Sequence, residues 1–137
     1  MLTHDQARDR AHDLVARAIK AGADAADAIY VADASTGVQV RLGALEDVQR
    51  SEGEEIGLRV FVGCQSASAS SSDLSLDALT KLAERAVAMA GQAPEDEYAG
   101  LAPAELLMRE TPRDLDIDDL LGREPVSPNH ILLSKNI

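Results

Sequence analysis

Few side chains in this sequence are of a type that does chemistry, and each can be weighed by its neighbours and spacing. Cys64 is the one cysteine. A working thiol needs a nearby base, and usually a cation or a helix N-terminus to lower its pKa. Its chain neighbours are Gly63 and Gln65, and no histidine lies between His12 and His130. Cys64 therefore reads as a small residue in a turn. The stretch "SASASSSDLS", from Ser66 to Ser75, invites comparison with a phosphate cradle, but such loops use glycine so that backbone can approach the anion. Serine alternating with alanine fits an extended strand with short side chains instead.

His4 and His12 stand eight residues apart, two turns along one helix. Two imidazoles that share a zinc ion from one helix are four apart, so this pair reads as a solvated helix face with Asp5, Asp9 and Asp13. The acid pairs Glu46-Asp47 and Glu54-Glu55 fall in strand-like segments, where adjacent side chains are expected on opposite faces. That geometry does not make paired carboxylates. No catalytic, cofactor-binding or metal-ligating residue is assigned, and no cofactor is expected in this chain.

The elements that would position any such residue can be read from composition and period. The chain has 137 residues, one modest domain's worth, with one Phe, two Tyr and no Trp, so its core must be aliphatic. A net charge of −11 argues against a nucleic-acid partner, which needs a clustered basic face. No basic amphipathic stretch suits an anionic membrane, and no apolar run approaches the length of a spanning helix. One cysteine forms no internal disulfide and no cysteine-based zinc cluster. The polar opening "MLTHDQARDRAHD" predicts no secretory leader. A soluble cytoplasmic protein is expected.

Thr3 and Gln6 form a capping-box pattern, followed by Ala7, Ala11, Leu14, Val15, Ala18 and Ile19 at helical spacing and by Gly22. A helix near 4–21 follows. From Asp27 to Ser72 the period is two. "AIYVADA" and "GVQVRL" are read as strands joined by a turn at Thr36-Gly37, and Gly43 as a bulge before "ALEDVQ". Ile56, Leu58, Val60 and Val62 share one strand face; Gly63-Cys64 turns, and the serine–alanine run returns. A second helix near 75–90, capped by Ser75 or Asp73, carries Leu76, Leu79, Ala83, Ala86, Val87 and Ala90, with Gly91 at its end.

The expected fold is α+β: a four-stranded antiparallel sheet with two helices packed on one face, order αββββα, then an acidic irregular tail. Three segments are expected. Residues 1–92 form the domain. Residues 93–119 are an acidic, proline-containing linker with nine acids against Arg109 and Arg113. Residues 120–137 are a tail of different origin, extended or weakly ordered.

"GLRVFVG", "SASASSSDLS", "LAERAVAMA" and "APEDEYAGLA", in that order, together with the upstream "RLGALEDVQRSEGEEIGLRV", resemble the N-terminal domain of the TldD/PmbA (modulator of DNA gyrase) family. The resemblance covers roughly residues 1 to 110 and is closer to PmbA, also called TldE, than to TldD. It implies a cytoplasmic metallopeptidase system that trims or degrades peptides, including maturation of a microcin precursor. In the TldD partner zinc is held through an HExxxH motif well beyond the N-terminal domain. No HExxxH occurs here, so no ligand is carried over, and zinc is expected only in the full-length partner subunit. The tail "DIDDLLGREPVSPNHILLSKNI" resembles the segment before the nucleotide-binding domain of polysaccharide-biosynthesis nucleotide-sugar dehydratases.

Two functions remain open at this stage. One is a truncated PmbA-like subunit, a non-catalytic scaffold that meets a TldD-type subunit, a second copy or an extended peptide. The other is a free-standing acidic interaction module that regulates a protein partner. Neither calls for nucleic acid or membrane.

Overall fold

The structure is a computed structural model, and it describes residues 1–107. The element order is α1 (His4–Lys20), β1 (Ala25–Arg41), β2 (Ala44–Val62), β3 (Gln65–Ser71), α2 (Leu76–Ala90) and a single 3₁₀ turn at Ala104–Leu106. The described chain divides into two units. One joins Met1–Ala32 with Gly53–Leu107, and the described part of the other is the hairpin Asp33–Glu52.

Both helices begin where local chemistry predicts. The Gln6 amide donates to Thr3 Oγ1 at 3.3 Å, and the Thr3 amide donates to Gln6 Oε1 at 3.0 Å, which completes the capping box. At the other end, Gly22 takes φ +113°, and the amides of Gly22 and Ala23 return to the carbonyls of Ile19 and Ala18. This is the Schellman arrangement, and it needs a residue tolerant of the left-handed region. Ser75 caps α2, its hydroxyl accepting from the Ala78 amide. Arg17 reaches across from α1 to the Thr80 hydroxyl on α2.

The sheet has three antiparallel strands in the order β1-β2-β3, where the sequence predicts four. The expected turn at Thr36-Gly37 is absent. Gly37 stays extended inside β1, its Cα side facing Gln49, and a Cβ placed there would lie 3.9 Å from Gln49 Cβ. The reversal comes at Leu42-Gly43, with φ +50° and +82°. Positive φ at both central residues defines a two-residue type I′ turn, whose twist matches the flanking strands. Gly43 is thus a turn residue and no bulge. A bulge lies further on: Glu46 accepts from Gln39 and Arg41, while Asp47 accepts from Gln49. Two adjacent side chains on one strand face mark an inserted residue.

The core cluster between sheet and helices is aliphatic, and Phe61, 5 % exposed, is buried apart from it. Ile56, Leu58 and Val60 of β2 are buried against Leu14 and Ala18 of α1 and Leu79, Leu82, Ala83, Ala86 and Ala90 of α2. β3 contributes Ala67 and Ala69 on the same side, and α2 packs on β3 through these short side chains. Two expectations need correction. Ile19 is 46 % exposed and Leu76 is 56 % exposed, whereas Leu82, omitted from the expected stripe, is buried. The buried arc of α1 is centred on Leu14 and Ala18, which leaves Val15 and Ile19 at its flank. On α2 the arc runs through 79, 82, 83, 86 and 90, and Leu76 starts one turn too early to reach it. Of the linker, 93–107 is described; residues 120–137 and their expected character lie outside the described residues.

Leu58 is 2 % exposed at the centre of this core. Leu58→Ala should cost about 2–5 kcal/mol, and Leu58→Met less than about 1.5 kcal/mol. Urea unfolding of the two variants checks this, and equal, small losses would place Leu58 outside the core.

Candidate binding face

The side of the sheet opposite α1 and α2 carries a concavity, and the pairing register explains it. β2 and β3 pair with Gly57 opposite Ser70, Arg59 opposite Ser68 and Phe61 opposite Ser66. Because Leu58 and Val60 point to the core, alternation sends Gly57, Arg59 and the three serines to the other face. β1 supplies Asp27 and Ile29. Asp27, Ile29, Gly57, Arg59, Ser68 and Ser70 line a trough of about 440 Å³.

Its floor is Gly57. A Cβ there would come within 3.2 Å of Ile29 Cγ2, so the missing side chain both admits Ile29 and leaves the trough open. One wall is ionic: Arg59 grips Asp27 with two hydrogen bonds, Nε to Oδ1 at 2.9 Å and Nη2 to Oδ2. The same guanidinium lies 5.3 Å from the centroid of the Phe61 ring. The Asp27 carboxylate keeps Arg59 firmly charged. Ile29 and Val31 are 64 % and 50 % exposed on this side. A paired charge, small hydroxyls and exposed aliphatics suit non-covalent contact with another chain. The trough has no imidazole or thiol to serve as base or nucleophile.

The residues weighed in the sequence are scattered. Cys64 is exposed in the β2–β3 turn, where its carbonyl accepts from the Asp96 amide at 2.7 Å. With Gln65 Nε2 donating to the Ala93 carbonyl, this docks the segment after α2 onto the turn. Ser66 to Ser71 lie in β3, as an extended strand and not a cradle. His4 and His12 are exposed on α1, and His130 lies outside the described residues. Among the described residues no three His, Cys, Asp or Glu side chains come together in a group that could hold a metal ion. The described residues therefore do not fit a metal site.

Glu54 and Glu55 diverge as expected for strand neighbours. Glu54 is half-buried, and Tyr30 Oη donates to its Oε2 at 2.6 Å. The N-terminal ammonium lies 3.8 Å from Oε1, and the Leu2 amide donates to Tyr30 Oη. Sequence spacing does not reveal this cluster or the Asp27–Arg59 pair; each joins residues whose proximity depends on strand register.

Two outcomes follow from this geometry. The hydrogen bond from Tyr30, and then the N-terminal charge, hold the Glu54 carboxyl below its ordinary 4.5, while accepting Glu54 raises the Tyr30 hydroxyl above 10.0. The Glu54 contribution is therefore complete above about pH 4.5 and is lost as pH falls through the lower folded value. The Tyr30 contribution is complete below about pH 10 and is lost as pH rises through the higher folded value. Tyr30→Phe should flatten stability at both ends, as read from urea midpoints against pH; an unchanged profile would remove the cluster from the account. Cys64→Ser should leave the unfolding midpoint unchanged, since only the backbone of this residue is used. Its thiol should react with iodoacetamide at the rate of a free cysteine, and much faster alkylation would reveal an activated group.

Comparison with known proteins places these features in a family. A family model described as PmbA/TldA metallopeptidase domain 1 matches residues 26–90. A metalloprotease PmbA homolog of Haemophilus influenzae is 33 % identical over 108 residues, covering 74 % of this chain and 24 % of the relative. Metalloprotease PmbA of Escherichia coli O157:H7 is 32 % identical over 108 residues, covering 77 % and 24 %. The chain thus spans about a quarter of the length of these curated relatives. Among solved structures, one from Bacteroides thetaiotaomicron, described as a modulator of DNA gyrase, superposes with a TM-score of 0.74 at 19 % identity. It covers 83 % of this chain and 25 % of its own. TldE from Thermococcus kodakarensis gives 0.67 at 19 % identity, covering 91 % and 28 %. At that identity the solved structures bear on the fold alone. Through the match at residues 26–90 and its PmbA relatives, the chain belongs to the TldD/PmbA family as an N-terminal domain.

Proposed function

We propose that this chain serves a TldD/PmbA-type metallopeptidase system as the N-terminal domain of a PmbA/TldE-like subunit. Its role there is that of a non-catalytic scaffold, contributing to peptide maturation or proteolysis by contact and not by bond cleavage. The observation that carries this reading is the family match over residues 26–90, the stretch that contains the whole sheet interior and α2. The trough lined by Asp27, Ile29, Gly57 and Arg59 supports contact with another chain. β3 is an edge strand of short side chains, a form suited to an added extended peptide. The partner of choice is a TldD-type subunit, which would supply the zinc and the water-activating groups. The cytoplasm is the proposed compartment, and no described helix is long and apolar enough to cross a membrane.

A zinc peptidase needs three protein ligands around an open coordination position and a base for the attacking water. The expected result is that purified chain, dialysed and analysed for metal, retains no stoichiometric zinc and cleaves no peptide with or without added zinc. Mixing with a TldD-type subunit should yield a stable complex in which peptide hydrolysis is seen. Stoichiometric zinc in the chain alone, or cleavage abolished by His12→Ala, would overturn the scaffold reading. A stable complex with a basic protein, and none with the TldD-type subunit, would favour a regulatory interaction module.

A further inference from the structure

The segment that follows α2 is held differently from the elements before it. The amides of Gly91 and Ala93 return to the carbonyls of Val87 and Ala90, so the chain leaves the helix through a tight turn. Gln65 Nε2 then donates to the Ala93 carbonyl at 2.5 Å, and the Asp96 amide donates to the Cys64 carbonyl at 2.7 Å. Asp96 folds the chain back on itself, its Oδ1 accepting from the Tyr98 amide and its carbonyl from the Ala99 amide. Burial adds little here. From Gly91 to Leu107 only Ala93 and Ala99 are half-buried, the other residues are exposed, and Tyr98 is 87 % exposed.

The surface that receives this segment is firm by contrast. Gly63 takes φ +57° in the β2–β3 turn, and its amide donates to Asp24 Oδ2 at 2.7 Å. The Asp24 amide donates to the Phe61 carbonyl at 2.8 Å, so the turn is tied at two points to the loop between α1 and β1. Two residues in from the turn, Val60 and Ala67 pair with each other and pack in the core. Segments with few buried apolar contacts and exposed hydrogen bonds open while the rest of a protein stays folded. The stretch after α2 meets that description, and the turn beneath it does not.

We propose that Ala93–Ala99 is a strap that closes on the β2–β3 turn and releases from it while the core stays folded, with the Gln65 side chain as its latch. Closed, the strap fixes the direction in which the chain leaves the domain. Open, the six residues Gly91 to Asp96 are slack and span about 20 Å when extended, so residues from Gly100 onward are no longer held at the turn. Opening also frees the Cys64 carbonyl and the Gln65 carboxamide at the end of the sheet. The device is built into this chain and does not depend on a peptidase partner.

Chymotrypsin added to the native full chain tests it, because a protease takes an extended stretch and a cut after Tyr98 therefore reports the open state. The first cut should fall after Tyr98, and the Asp96 amide should exchange with solvent far faster than that of Leu58. Gln65→Ala should speed both cleavage and Asp96 exchange roughly fivefold, the effect of losing one ordinary hydrogen bond. Gln65→Glu, which sets a carboxylate against the Ala93 carbonyl, should speed them at least as much. In both variants the Leu58 amide should stay as slow as in the parent, which shows that the core is intact. An Asp96 amide as slow as Leu58 would overturn the proposal, and so would cleavage and exchange indifferent to both substitutions. Loss of Leu58 protection in both variants would also overturn it, since the segment would then be part of the core's own cooperative unit.

Discussion

The structure depends on covering one strand face, that of Ile56, Leu58 and Val60, with side chains no larger than leucine. With one phenylalanine and no tryptophan in the chain, no single large side chain can fill the space between sheet and helices. Density comes from close approach, since each apolar contact is weak and acts over a short range. Ala18 on α1 and Ala83, Ala86 and Ala90 on α2 let the helices sit near the strands. The alternation in β3 answers the same demand. Its alanines face α2, and Ser66, Ser68 and Ser70 take the opposite side.

That constraint also shapes the candidate face. β2 cannot turn its aliphatics inward without sending Gly57, Arg59 and Phe61 outward, because side-chain direction alternates. Gly57 leaves a trough where a larger residue would have met Ile29. The Asp27–Arg59 pair, half exposed to water, adds little stability, and its weight lies in shape and polarity. The sheet side opposite α1 and α2 therefore presents a shallow surface of mixed polarity.

Much of this could be read from the sequence, for physical reasons that differ by element. Caps and helical spacing are local, so the expected bounds of both helices agree with the structure to within a residue. The phase of a helix is set by what it packs on, so helical spacing alone places Leu76 and Ile19 in the core and omits Leu82. The strand count failed at a turn: Thr36-Gly37 looked like the better signal, yet the chain turns with Leu42 in the left-handed region, a placement no residue preference favours. The pairs Asp27–Arg59 and Tyr30–Glu54 lie 32 and 24 residues apart and follow only from register. Glu46-Asp47 was expected to split across the strand, and the bulge brings both carboxylates to one face. The family was visible because several spaced segments agreed, and no single motif would have sufficed. The segment that resembled a nucleotide-sugar dehydratase lies outside the described residues.

If the packed face of β2 is what the fold rests on, order should fall away along the same strand once that packing ends. Native-state hydrogen exchange in dilute solution reads this residue by residue. Amides of Ile56 to Val62 should exchange only through global unfolding, and those between 33 and 52 through local opening at far lower free energy. Hairpin amides as slow as those of Leu58 and Val60 would contradict the account.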